Sequence, residues 1–201
     1  MKVRREVVQV PGLTPHTQCR RLAGLAAEVP AGQVIVEIGV YKGRTACWLA
    51  AGAQAGNGAH VYGVDPWGMA GQDAYDNTPG KRRRYTNQAN MGRAIEAVRR
   101  CGLQGRVTLM QGFSTQVAAH QWHEAQPIGL HYIDGDHREA AAYNDFTAWA
   151  VHMAADAVVC WDDYNPERFP GVVAAVGRLL GEGHVEKVDQ HDRLLITRRI
   201  P

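Results

Sequence analysis

The stretch Val34-Ile-Val-Glu-Ile-Gly-Val-Tyr-Lys-Gly-Arg-Thr45 reads as a buried strand that ends in a glycine turn and runs into a helix. Four of its first five residues are β-branched aliphatics, the pattern of a strand covered on both faces. Glu37 is the exception, an acid near the carboxyl end of the strand. In open α/β sheets ligands bind at that end, where the turn lets backbone come close to them. Gly39 and Gly43 supply the turn, with Tyr41 between them. A dinucleotide fingerprint would need glycine at 39, 41 and 44, and the chain has Tyr41 and Arg44.

The rest of the chain repeats the same rhythm. Strands are expected at Val34–Ile38, His60–Val64, Arg106–Met110, Gly129–Ile133 and Ala157–Trp161. Helices are expected at Thr45–Ala53, Gly92–Cys101, His137–Met153 and Gly171–Leu180, with another over residues 12–28. Val185–Val188 and Leu194–Arg198, separated by a polar stretch with Asp189-Gln-His-Asp192, suit an antiparallel hairpin at the sheet edge. The fold class that follows is α/β: a Rossmann-like doubly wound, mostly parallel seven-stranded sheet with helices on both faces. The 201 residues fit one domain.

Pro66–Asn90 interrupts the alternation. It is long and polar, with Trp67, Tyr75 and Tyr85 among its residues, and it follows a strand end on the ligand side. A lid or substrate-binding insertion is the functional reading; a surface loop is the other. Lys81-Arg-Arg-Arg84 within it reads as a solvated face, or as an attractor for an anionic substrate.

Missing glycines argue against a pyrophosphate cradle and for an adenosine cofactor without phosphate, such as S-adenosylmethionine. Asp65 lies 22 residues after Gly43, at the end of the second strand, where an acid can accept both ribose hydroxyls. A turn aspartate before Pro66 is the plainer role. Glu37 orders the loop or meets the cofactor's ammonium group. Thr45 either reaches the cofactor or caps its helix. Gly112, Phe113 and Ser114 follow the third strand, where they would lie beside an adenine; Ser114 could equally be an N-cap.

Two acidic clusters carry the strongest chemical signal: His131-Tyr-Ile-Asp-Gly-Asp-His137 and Val159-Cys-Trp-Asp-Asp-Tyr164. On neighbouring strands about 4.8 Å apart, Asp134, Asp162 and Asp163 would meet at one mouth. Three close carboxylates repel unless they share protons or bind a cation, and oxygen ligands suit Mg²⁺ before Ca²⁺. Asp136-His-Arg-Glu139 has the form of a capping box, which leaves Asp136 outside the metal set. His137, expected at the start of the next helix, is the candidate base for a substrate hydroxyl.

Together these residues resemble class I S-adenosylmethionine-dependent methyltransferases. Val36-Glu-Ile-Gly-Val-Tyr-Lys-Gly43 is similar to the first motif of the catechol and caffeoyl-CoA enzymes. The segments Ile133–His137 and Trp161–Tyr164 look like those of macrocin-type sugar O-methyltransferases and their cephalosporin hydroxylase relatives. The resemblance spans roughly residues 34–175 and implies Mg²⁺ on the matching acids, His137 as base and a small-molecule hydroxyl acceptor, a sugar or natural product. Asp134 would then also border the cofactor. The family's Gly-Gly before the fifth strand is replaced by Ala154-Ala-Asp156, expected to form a turn. A metal-independent or cephalosporin-hydroxylase-like enzyme is an alternative, and a nicotinamide-dependent oxidoreductase another.

Composition excludes several partners. A net charge of +2 is too small for nucleic acid or membrane to be the main partner, and no Asn-Pro-Pro-aromatic motif for a flipped base occurs. No signal peptide or apolar run of ~18 residues is present, and Cys19, Cys47, Cys101 and Cys160 lack metal or redox spacing. A cytoplasmic protein with reduced thiols is the expectation, with a homodimer as a possible assembly.

Overall fold

The computed structural model describes residues 3–69 and 88–201. Seven strands form one sheet: β1 (Val34–Ile38), β2 (Val61–Asp65), β3 (Val107–Gln111), β4 (Ile128–Ile133), β5 (Met153–Trp161), β6 (Val185–His191) and β7 (Leu194–Arg199), in the order β3-β2-β1-β4-β5-β7-β6. The first five are parallel and β7 is antiparallel to both β5 and β6. From β1 the chain winds outward through β2 and β3, then returns to place β4 on the other side of β1. The crevice at that reversal is where doubly wound sheets hold ligands.

Helices α1 (Arg5–Val8), α2 (His16–Glu28), α3 (Arg44–Ala55) and α4 (Gln88–Arg100) contribute Val7, Leu22, Trp48 and Val98 to one core layer. Helices α5 (Ser114–His120), α6 (Glu139–Ala150) and α7 (Pro170–Gly181) contribute Val117, Trp149 and Val176 to the other. β1 feeds both: Ile35 packs in the first layer, Val34, Val36 and Ile38 in the second. All five β1 residues are buried, and each aliphatic among them contributes about 1.5–3 kcal/mol of hydrophobic stabilisation.

Register fixes the functional edge. Ile38 pairs with Ile133, and Ile133 with Trp161. The next residue of each strand therefore leaves the sheet at one level: Gly39, Asp134 and Asp162. Their amides continue the ladder, Gly39 N–H to Val64 O (2.9 Å), Asp134 N–H to Ile38 O (2.8 Å) and Asp162 N–H to Ile133 O (3.0 Å).

Several sequence expectations shift. α6 starts at Glu139, not His137, and ends at Ala150, because Met153 pairs with Ile128 and opens β5. Ala154-Ala-Asp156 accordingly lies within a strand instead of a turn. The polar stretch 189–191 belongs to β6, leaving a tight turn at Asp192-Arg193 with Asp192 at φ 55°. The first long helix begins at His16, so residues 12–14 precede it. Of the expected insertion, residues 70–87 lie outside the described residues, as does Lys81–Arg84; residues 88–90 are helical. All four cysteines are free and buried, and among the described residues no helix is long and apolar enough to cross a membrane.

Candidate active site

The strand ends open into a cavity of about 350 Å³, within the range of small-molecule sites. One wall is the glycine turn with Gly39, Val40, Tyr41 and Thr45, backed by Asp65. The second is the acid cluster of Asp134, Asp162 and Asp163 with His137. Leu13, Thr14, Arg168 and Phe169 border it, and Arg44 and Arg193 also line it.

The glycine turn is held tightly by its own chain. Gly39 has φ +90°, and a Cβ there would lie 1.9 Å from the Asp134 carbonyl oxygen. Only glycine admits both that conformation and that approach. Gly43 caps α3 at φ +85° and packs 3.2 Å (ideal Cβ) from the Ala94 backbone. Tyr41 between them is also left-handed, at φ 53°. Asp65 secures it: one carboxylate oxygen accepts Tyr41 N–H and the other Trp67 N–H, both at 2.8 Å. Trp67 is fully buried and donates its indole N–H to Tyr41 O (2.8 Å). Burial outweighs these amide bonds and lifts the Asp65 carboxyl to about 6. The turn-aspartate role of Asp65 is thus present.

Beneath the turn, Glu37 is fully buried and accepts the Thr45 hydroxyl. Thr45 therefore reaches back to β1 and does not cap its helix, whose N-cap is Gly43. The other Glu37 oxygen, Oε2, has no hydrogen-bond partner among the described residues. Burial pushes this carboxyl up to about 8, so it is a neutral acid at pH 7.

On the opposite wall the Tyr132 hydroxyl lies 3.2 Å from Asp134 Oδ2 and 3.1 Å from Asp162 Oδ2. Burial, then the neighbouring Asp162 and Asp163 charges, raises Asp134 well above the carboxylate range. Burial and Asp163 lift Asp162 to about 6, and its Oδ1 is buried without a partner among the described residues. Asp163, at φ 55°, turns its carboxylate to His137 Nε2 (3.3 Å) and to the Arg193 guanidinium. Ligand atoms of Asp134, His137 and Asp163 all lie within 4.8 Å of one another. That set includes the imidazole and leaves out Asp162, so it differs from the oxygen-only set expected from sequence. Converging acids and an orphaned buried oxygen fit a divalent cation.

His137 precedes the helix instead of opening it. Asp136 accepts Arg138 N–H (3.0 Å) in a tight turn and pairs with its guanidinium, while Arg138 is the N-cap. The expected capping box is therefore absent. The His137 ring packs 4.5 Å from Phe169 by centroids. Gly171 fits against its backbone, where a Cβ would come 2.4 Å from His137 O.

Gly112, Phe113 and Ser114 stand outside this lining. Gly112 N–H bonds Asp65 O (3.1 Å), so the end of β3 adjoins the Asp65 turn. The N-cap of α5 is Phe113, not Ser114; Ser114 accepts the Trp149 indole N–H (2.9 Å) and bonds the buried Asp145. Sequence reasoning missed Thr14, Arg44, Arg168, Phe169 and Arg193. Arg44 had a local signal, a charge in the first turn after the glycines: it ties the N-terminal segment down by donating to Val10 O (2.8 Å) and Thr14 O (2.9 Å). Arg193 had none, because only the hairpin brings it to Asp163.

A family model described as "Methyltransferase domain" matches residues 36–164. Similar solved structures include an O-methyltransferase from Bacillus cereus in complex with SAH (18% identity, TM-score 0.70, 98% of this chain and 89% of that one). The O-methyltransferase TomG from Streptomyces achromogenes, involved in tomaymycin synthesis and in complex with SAM, aligns at 15% identity and TM-score 0.71 over 100% and 92%. The SAH-bound methyltransferase PaMTH1 from Podospora anserina gives 12% identity and TM-score 0.71 over 99% and 89%. No curated protein matches the sequence.

Proposed function

The chain belongs to the methyltransferase domain family, as an S-adenosylmethionine-dependent enzyme of class I, and on that basis we propose that it methylates a hydroxyl of a small molecule. One observation carries the reading: a single cavity joins the glycine turn and Asp65 to the acid cluster and His137.

In this reading Gly39, Tyr41 and Gly43 form the cofactor cradle and the Asp65 carboxylate accepts the ribose. Glu37 and Thr45 support the methionine end, with Asp134 at the border between donor and acceptor. Gly112 and Phe113 flank the adenine; Ser114 serves the fold through Trp149. The reaction is an in-line displacement. The acceptor oxygen attacks the sulfonium methyl carbon, the carbon–sulfur bond breaks, and S-adenosylhomocysteine leaves. The protein must align oxygen, carbon and sulfur and exclude water. His137 takes the hydroxyl proton on a ring nitrogen, held in place by Asp163 and Phe169. Asp134 and Asp163, with Asp162 beside them, would hold a divalent cation, Mg²⁺ foremost. When bound, such an ion polarises the acceptor hydroxyl and lowers its pKa.

Parallel calorimetric titrations with S-adenosylhomocysteine and NAD⁺ test the donor assignment. Saturable binding of the first alone is expected. Binding of NAD⁺ and not of S-adenosylhomocysteine would restore the oxidoreductase reading.

A further inference from the structure

The acceptor wall has a charge of its own. Three arginines line the cavity, and two are committed: Arg44 to the Val10 and Thr14 carbonyls, Arg193 to Asp163. Arg168 differs. Its backbone N–H bonds Asn165, but among the described residues no carboxylate or carbonyl accepts from its guanidinium. The group lies 5.5 Å from the Phe169 ring centroid, and the His137 ring lies 4.5 Å from that same centroid. The guanidinium is therefore within about 10 Å of the imidazole, with the Phe169 ring beside both. Leu13, 60% exposed, adds a second apolar side chain to the border of the cavity.

We propose that Arg168 is the specificity determinant of this site, and that the acceptor is a flat hydroxylated ring carrying a carboxylate. The hydroxyl sits at His137, the ring lies along Phe169 and Leu13, and the carboxylate pairs with the Arg168 fork. A planar guanidinium matches a carboxylate with two parallel charge-assisted bonds, stronger than neutral ones. Unlike Arg193, it has no resident acid to displace among the described residues. Its stacking on Phe169 limits the freedom lost on pairing. The inference rests on the donor and acceptor sides assigned above.

The test is binding of protocatechuate and of its methyl ester to protein saturated with S-adenosylhomocysteine, measured by calorimetry in wild type, Arg168→Gln and Arg168→Lys. Wild type is expected to prefer the acid by at least about tenfold, the scale of a charge-assisted pair. Arg168→Gln should erase the preference and Arg168→Lys keep part of it. S-adenosylhomocysteine binding by each variant reports that it is folded. Equal affinity for acid and ester, no binding of the acid, or a preference that survives Arg168→Gln overturns the inference. Methylation of the ester's hydroxyl without any preference for the acid would leave the proposed function standing. Absence of S-adenosylhomocysteine binding by wild type would remove both.

Discussion

Replacing Glu37 with Gln should flatten the dependence of stability on pH. Glu37 is fully buried on β1, one oxygen accepts the Thr45 hydroxyl and the other has no partner among the described residues. Burial raises its carboxyl from 4.5 to about 8. The sign follows from linkage. Below pH 4.5 both folded and unfolded chains hold the proton and the group is neutral to stability. Between 4.5 and about 8 only the folded chain holds it, so stability falls as pH rises, by about 1.4 kcal/mol per pH unit. Above 8 the loss is complete. His131 runs the other way: burial lowers it to about 4, so its loss of stability is confined to pH below its ordinary value of 6.5. The window from pH 6.5 to 8 therefore isolates the raised acids. Asp145, lifted by burial to about 7, contributes in both proteins. Glu37→Gln removes one titration and keeps the shape, so the wild type should lose roughly 2 kcal/mol more than the variant across that window. Urea unfolding at several pH values, followed by tryptophan fluorescence with constant m, measures it. Parallel curves for the two proteins would refute the claim that folding keeps Glu37 neutral.

Other perturbations separate the parts of the site. Gly39→Ala forces a side chain into a left-handed position 1.9 Å from a carbonyl oxygen, and should cost about 2–4 kcal/mol in denaturant unfolding and weaken S-adenosylhomocysteine binding. An unchanged midpoint would mean the turn relaxes freely. Trp67→Phe removes the donor to Tyr41 O and should cost about 1 kcal/mol, with a measurable loss of S-adenosylhomocysteine affinity. Asp134→Asn replaces a carboxyl that burial, then the Asp162 and Asp163 charges, hold protonated in the fold, so it should stabilise the metal-free protein near pH 7 while abolishing saturable Mn²⁺ binding read by paramagnetic relaxation. Retained Mn²⁺ binding would place any ion elsewhere.

The parallel sheet was legible because its strands are mostly apolar runs, and the acid clusters because they fall at strand ends. Register then converted two sequence segments into one wall, which spacing alone could suggest but not fix. The boundaries that failed did so for tertiary reasons. Met153 left its helix because Ile128 offered a strand partner, and His137 stayed out because Asp136 accepts the Arg138 N–H in a tight turn and Gly171 packs against His137 O. Trp67 looked like part of a polar loop, since its burial depends on the Asp65 turn folding it inward. The glycines were read as room for a ligand; their nearest obligation is to the Asp134 and Ala94 backbones. Arg168, Phe169 and Arg193 belong to no motif, and only the packing of α7 and the final hairpin brings them to the cavity.

The central claim is methyl transfer to a hydroxyl in this cavity, with His137 accepting the proton. The most direct measurement incubates the protein with methyl-labelled S-adenosylmethionine, Mg²⁺ and a panel of catechols and sugars. Labelled products and S-adenosylhomocysteine are quantified by mass spectrometry for wild type and His137→Ala. The account predicts a labelled methyl ether in equimolar amount with S-adenosylhomocysteine, and a loss of turnover of about 10²–10⁴-fold in the variant with S-adenosylhomocysteine affinity retained. Label on nitrogen or carbon instead of oxygen, or full turnover in His137→Ala, would contradict it.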